Sequence, residues 1–360
     1  MKFFSGWKKL FNYHPRVFVY LLFPILIIAV LIYTHETPIA ESPNATSDMR
    51  EMISVINSEL TIKGSGTAGF FTEGRTVTLS PYEIGKYEVS FGFWYDVHKW
   101  ATTDSKNKYV FLISNAQPGR YGGVRSLPED IYVNPALKKK AETSPSFDYT
   151  PTVSGIQPAT MLTWRDAIIW CNALSEMEGK EPVYFSGNEV IRDAREAITF
   201  EKLTVKMSNS GYRLPTEAEW EFAARGGNPN SDAWNSAYAG ADSFEALKDV
   251  AWFNANSGVI EIADLSTEHD THSLGLKSPN SLGIYDMCGN VWEWCFDTVA
   301  QRKDGVFTDP YVHFSPASKI IKGGGFTDHY VNCNVRSWGR SYEVSKSYIL
   351  GFRIARTLKK

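Results

Sequence analysis

The chain has 360 residues, 43% hydrophobic and 14% aromatic, with a formal net charge of -3. That composition suits a globular protein with a large core, and the charge excludes the basic footprint of a nucleic-acid binder. Four cysteines, Cys171, Cys288, Cys295 and Cys333, are too few for a disulfide scaffold of this length.

The first predicted element is a membrane anchor. Val17 to Tyr33 is an uncharged apolar run of 17 residues, VFVYLLFPILIIAVLIY. A bilayer-spanning helix needs roughly 17–25 residues, and a proline such as Pro24 is tolerated inside one. Lys8, Lys9 and Arg16 precede the run, and Glu36 and Glu41 follow it. The positive-inside tendency then leaves 1–16 in the cytoplasm and sends the rest across the inner membrane as a single-pass protein. A cleaved signal peptide with a small-residue site around Ala40 is the rival reading.

Residues 34–60 read as a polar stalk. Met49, Met52, Ile53, Ile56 and Leu60 fall at helical spacing and predict a short helix, either pairing two copies or packing on the domain. From Thr61 to Lys360 the texture is that of one domain. TVTLSPYEIGKYEVSFGFWYDVHKW predicts two strands and then a helix starting near Gly92. A proline-dotted stretch without period, Asp104 to Ser154, predicts a loop-rich insertion.

Two helices carry clear signals. Thr163 precedes the first as N-cap, with Asp166 three residues on, and Gly179 ends it; Cys171 lies on its apolar face as a core residue. Thr216 and Glu219 form a capping box for the second, and Gly226 closes it. Between them, Glu181 to Gly211 reads as an extended excursion. From Ala233 onward the chain alternates short aromatic-rich strands with long loops. Backbone groups in such loops need side chains or metal ions as partners.

Four segments, SPYEIGKYEVS (Ser80–Ser90), GYRLPTEAEWEFAARGG (Gly211–Gly227), NSLGIYDMCGNVWEW (Asn280–Trp294) and GGGF…LGFRIAR (Gly323–Arg356), occur in that order. Together they resemble the formylglycine-generating enzyme, or sulfatase-modifying factor, family. The resemblance covers roughly Thr61 to Arg356. It implies an α+β, C-type-lectin-related fold with little regular secondary structure, here preceded by one transmembrane helix.

The family's copper-dependent oxidases resemble one another in a GGS turn followed by two cysteines five positions apart. Aligned on Gly323 and Gly324, Gly325 stands at the serine and Asp328 at the first cysteine, while His329 and Cys333 match the remaining positions. Copper(I) favours soft sulfur ligands, and a carboxylate is hard. Asp328, His329 and Cys333 can instead be read as a zinc or iron(II) site, as a histidine-activated thiol, or as the lining of a groove that takes a protein or peptide. On an extended strand Asp328 and His329 point to opposite faces. Trp292 matches a tryptophan near the oxidase pocket.

The resemblance also implies a calcium loop at Asp286, Gly289, Val291 and Glu293, an oxygen set suited to Ca²⁺. A second site at Asp249 and Val250 lacks aligned partners. Glu268, His269, Asp270 and His272 invite a metal reading, but no helix places the histidines on one face. Cys288 and Cys295 are expected as free or partly buried thiols. The sequence thus supports three functions: a membrane-anchored binding or scaffold module that has lost copper oxidase chemistry, a metal-dependent oxidoreductase acting on a thiol through Cys333, or a glycan or peptide binder.

Overall fold

Short strands and five α-helices, joined by long ordered loops, make up the residues that the computed structural model describes: 48–113, 116–118, 153–260, 267–269, 271–315 and 317–358. All of them belong to one compact unit, 43–360. The apolar run 17–33 and most of the insertion 104–154 lie outside the described residues. Among the described residues no helix is long and apolar enough to cross a membrane.

The helix expected at 49–60 is replaced by two strands, β1 (Met52–Ile56) and β2 (Leu60–Lys63). Ile53, Val55 and Ile56 are β-branched, which suits a strand when a partner is present. The partner is distant in sequence: β1 pairs antiparallel with β4 (Tyr82–Gly85). Val55, Ile56 and Ile62 are buried in consequence. β2 pairs with β3 (Arg75–Leu79), and β3 also pairs in parallel with a late strand, Gly305–Thr308. This segment is therefore part of the domain and not a stalk.

The other helical expectations hold. α1 (Phe91–Lys99) starts behind Ser90, whose hydroxyl accepts from Phe93 N at 3.2 Å. α2 (Trp164–Met177) carries the Thr163–Asp166 capping box, with both reciprocal bonds at 3.1 Å. The excursion at 181–211 forms a small sheet, Tyr184–Ser186 flanked by Glu189–Val190 and Leu203–Val205, with the short helix α3 (Ala197–Glu201). α4 (Glu217–Ala224) has the second capping box, Glu219 N to Thr216 Oγ1 at 3.2 Å and Thr216 N to Glu219 Oε2 at 2.9 Å. α5 (Phe244–Val250) follows.

The sheet that carries the site is built late in the chain. β5 (Trp292–Thr298) is buried along its whole length. It runs antiparallel to β7 (Ser318–Lys322) and parallel to β9 (Leu350–Gly351). β8 (Gly339–Tyr342) adds to the far side of β7. β6 is the Gly305–Thr308 strand on β3, and β10 (Ala355–Thr357) pairs with β4. Stacked Trp94 and Trp170, 5.7 Å apart, join α1 to α2 in one core. Phe71, Trp220, Phe222 and Trp234 centre the other.

One ion pair fastens these parts. Arg353 and Glu293 are both fully buried; Arg353 Nε and Nη2 each lie 2.6 Å from a Glu293 oxygen. Trp220 Nε1 of α4 donates to the same carboxylate at 2.7 Å. The guanidinium also donates to the carbonyls of Gly85 and Tyr285, each at 3.0 Å.

A half-buried histidine makes the fold pH-sensitive. Lys319 Nζ lies 3.1 Å from His313 Nδ1, and His313 Nε2 lies 3.1 Å from Phe200 O. The ammonium must donate, so Nδ1 is the acceptor and Nε2 carries the proton. Burial, then the Lys319 charge, push His313 down to about 4 from 6.5. An unfolded chain takes up that proton first, so the stability held at neutral pH is lost as pH falls from 6.5 toward 4. Buried Asp286 and Asp297, pushed up to about 6 and about 7, act with the opposite sign over much of that range. We expect His313→Gln to lose stability less steeply than the wild type over that acid range, read as urea midpoints; parallel slopes would refute the assignment.

Candidate functional site

The expected active-site segment is a closed turn. β7 ends at Lys322, and Gly323 and Gly324 follow with φ of +97° and +76°. These are left-handed conformations that L side chains rarely adopt. At Gly324 a Cβ would also sit 3.0 Å from the Asn332 backbone. Asp328 then locks the loop. Its Oδ2 accepts from Gly325 N at 2.9 Å and from Trp292 Nε1 at 2.7 Å, and its Oδ1 accepts from Asn332 Nδ2 at 2.8 Å. A Cβ on Gly325 would lie 3.3 Å from Asp328 Oδ2 and 3.4 Å from the Trp292 ring, so a larger residue there crowds this arrangement.

The four residues expected to be catalytic divide. Trp292 and Asp328 meet. His329 is exposed, and its ring centroid lies 4.1 Å from that of Tyr330. Cys333 is fully buried, at the end of the 3₁₀ turn Tyr330–Cys333. Among the described residues no hydrogen bond joins His329 to Cys333. The segment is a turn and not the strand expected, so the rule of opposite faces does not apply to it. Burial, then the neighbouring Cys288 and Asp328, push the Cys333 thiol up, which keeps it protonated. A buried, protonated Cys333 sulfur and a carboxylate already holding three hydrogen bonds do not make the soft thiolate pair that copper(I) favours. Among the described residues no group of three or more His, Cys, Asp and Glu side chains is placed to hold a metal ion.

The loop Asp286–Glu293 is strained and buried. Asp286 and Asn290 have φ of +55° and +57°, rare for residues other than glycine. Gly289 has φ +76°, and a Cβ there would run into the Trp252 carbonyl. Asp286 Oδ2 accepts from Gly275 N at 2.8 Å, while Oδ1 is buried without a partner. Burial is the main cause that lifts this carboxyl to about 6. Asp286 and the carbonyls of Gly289 and Val291 fit a hard cation in donor chemistry. Glu293, expected as a ligand, instead spends its charge on Arg353.

Two residues of this site escaped the sequence reading. Glu88 is fully buried and accepts from Asn290 Nδ2 at 2.7 Å and Val291 N at 3.2 Å. Burial, with Asp286 and Glu293 nearby, holds its carboxyl well above the usual range. Arg353 is the other. Both stand inside the motifs SPYEIGKYEVS and LGFRIAR, but nothing local marks either as a partner of the loop.

The remaining metal reading also separates. The His272 ring stacks on Trp252 at 3.6 Å, and the His272 backbone N–H donates to Asn290 Oδ1 at 3.0 Å. His269 lies on the strand Thr267–His269, and Asp270 is outside the described residues. Asp249 is exposed at the end of α5, and its carbonyl accepts from Ser278 N at 2.9 Å. All four cysteines are buried and free, including Cys288 and Cys295.

Fold and motif together define a sulfatase-modifying-factor-like domain in which the cysteine turn is closed by a carboxylate. Residues 39–358 match the family model described as "Sulfatase-modifying factor enzyme 1-like domain", and the chain belongs to that family. It is 30% identical over 234 residues to "Chaperone protein LppX" of Paenibacillus barcinonensis, spanning 62% of this chain and 64% of that protein. It is 36% identical over 155 residues to a formylglycine-generating enzyme of Streptomyces coelicolor, spanning 41% of this chain and 47% of the enzyme. The chain thus spans less than two thirds of either relative. Among solved structures it resembles Treponema denticola variable protein 1, with a TM-score of 0.58 and 26% identity over 83% of this chain and 95% of that one.

Replacing Asp328 by Ala strands three donors. We expect a loss of about 1–3 kcal/mol in denaturant unfolding, with Asp328→Asn losing less. An unchanged midpoint for the alanine variant would show that the turn does not depend on this carboxylate.

Proposed function

We propose that the chain is a non-catalytic member of its family, a binding or scaffold module that the run 17–33 anchors in the inner membrane with its lectin-related domain outside the cytoplasm. One observation carries the reading. Asp328, at the position of a metal-binding cysteine, spends its carboxylate on Gly325, Trp292 and Asn332, and the surviving Cys333 is buried. A cavity of about 440 Å³ beside this turn, lined by Gly69, Asn332, Arg336 and Trp338 among others, supports a protein or peptide partner near Cys333. The oxidoreductase reading through Cys333 needs the thiol to become accessible and to gain a second soft ligand.

Oxygen consumption with copper- or iron-loaded chain and cysteine-containing peptides tests the reading. The expected rate equals that of the Cys333→Ala variant. Metal-dependent uptake lost in that variant would overturn it.

Calcium belongs to this reading as a structural cation, held by Asp286 with the carbonyls of Gly289 and Val291. The unpartnered Asp286 Oδ1 supports it. At neutral pH calcium should raise the melting temperature, and Asp286→Asn should abolish the increment. A calcium response of equal size in the variant removes the assignment.

A further inference from the structure

We propose that the face between β3, β6 and the β5–β6 loop is a binding pocket for a carboxylate borne on an apolar or aromatic group. Two sources carry that chemistry, the C-terminal end of a peptide and a free aryl carboxylate. The site contains none of the residues expected to be catalytic, shares Arg302 and Trp338 with the cavity beside the Asp328 turn, and does not depend on the state of Cys333.

A cavity of about 520 Å³ opens on this face, within the range of small-ligand sites. Two arginines line it with donors still unspent. Arg75 is only 5% exposed. Its Nη1 donates to Lys303 O at 2.9 Å, and its Cζ lies 4.5 Å from the centre of the Phe70 ring and 4.8 Å from that of Phe307. Its Nε has no hydrogen-bond partner. Arg302 pairs with Glu217 through Nη2, yet its Nε is equally without a partner. A buried guanidinium N–H is costly to leave unpaired, and the guanidinium fork matches a carboxylate.

The acids of the pocket are already engaged. Asp297 accepts from Glu217 N at 2.7 Å and from Val312 N at 3.0 Å, and Glu217 is held by Arg302. Exposed Lys303 adds a further cation at the wall. The rest of the lining suits an apolar body. Phe307 stacks under Arg75, and the Trp338 ring centre lies 5.4 Å from Arg302 Cζ. Val306 is 80% exposed and Trp338 42% exposed on the rim. Exposed apolar side chains gathered around a polar focus mark a surface that a ligand covers.

Isothermal titration of the full chain in detergent tests the proposal. The probes are N-acetyl-Gly-Phe as free acid, the same dipeptide as C-terminal amide, and phenylacetate. The free acid should bind about tenfold more tightly than the amide, as a charge-assisted bidentate bond requires. Arg302→Gln and Trp338→Ala should each weaken the acid about fivefold or more. Trp338→Ala, on the exposed rim, serves if loss of the Glu217 pair unfolds the first variant. Phenylacetate binding as tightly as the dipeptide acid identifies a small molecule, and weaker binding identifies a chain end; both uphold the carboxylate pocket. Equal affinity for acid and amide, no binding of either up to about 10 mM, or unchanged affinity in either folded variant overturns it.

Discussion

The buried pair of Arg353 and Glu293 is the constraint on which the rest of the domain depends. Its members come from a C-terminal loop and from the central strand β5. The same carboxylate accepts from Trp220 of α4, and the same guanidinium donates to carbonyls at Gly85 and Tyr285. A loop-rich fold has few ladder bonds to set the relative positions of its elements. A fully buried charge pair does so by penalty. Desolvation makes either charge alone very costly, typically about 3–5 kcal/mol when one partner is removed, so conformations that separate them are excluded. The geometry of the Asp286–Glu293 loop follows from that exclusion. Glu293 cannot turn away from Arg353, and Asp286 and Glu88 are left as buried acids held close to it.

The turn after β7 shows what a carboxylate does at position 328. A thiolate at position 328 would be a soft donor with little capacity for several N–H groups. A carboxylate has about four acceptor positions, and Asp328 uses three of them on Gly325, Trp292 and Asn332. Gly325 leaves room for this by omitting a side chain at 3.3 Å from the carboxylate. The two departures from the family pattern, Asp328 and Gly325, are therefore one physical change. It closes the loop and leaves Cys333 sealed beneath it.

Local signals in the sequence translated directly into structure. Thr163 with Asp166 and Thr216 with Glu219 became capping boxes because a cap is decided within four residues. Gly226 took its positive φ after α4 for the same reason. The apolar spacing of Met49 to Leu60 misled, because the deciding partner of β1 is β4 and lies about 30 positions on. His329 and Cys333, four apart in sequence, suggested a reactive pair. The turn exposes one and buries the other, which spacing does not encode. Glu293 looked like an ion ligand until Arg353, 60 positions away, was placed against it.

By itself the sequence determined the family, the order of the motifs and the helix ends, and it placed Asp328 where the family resemblance expects a cysteine, since each is written in residue identity over short spans. Only the tertiary structure decided that Asp328 is a hydrogen-bonded lock, that Cys333 is inaccessible, that Glu293 answers to Arg353, and that Arg75 and Arg302 share one cavity. Those outcomes depend on burial and on contacts between distant segments. In a low dielectric, charge and hydrogen-bond satisfaction are set by what the whole chain brings together.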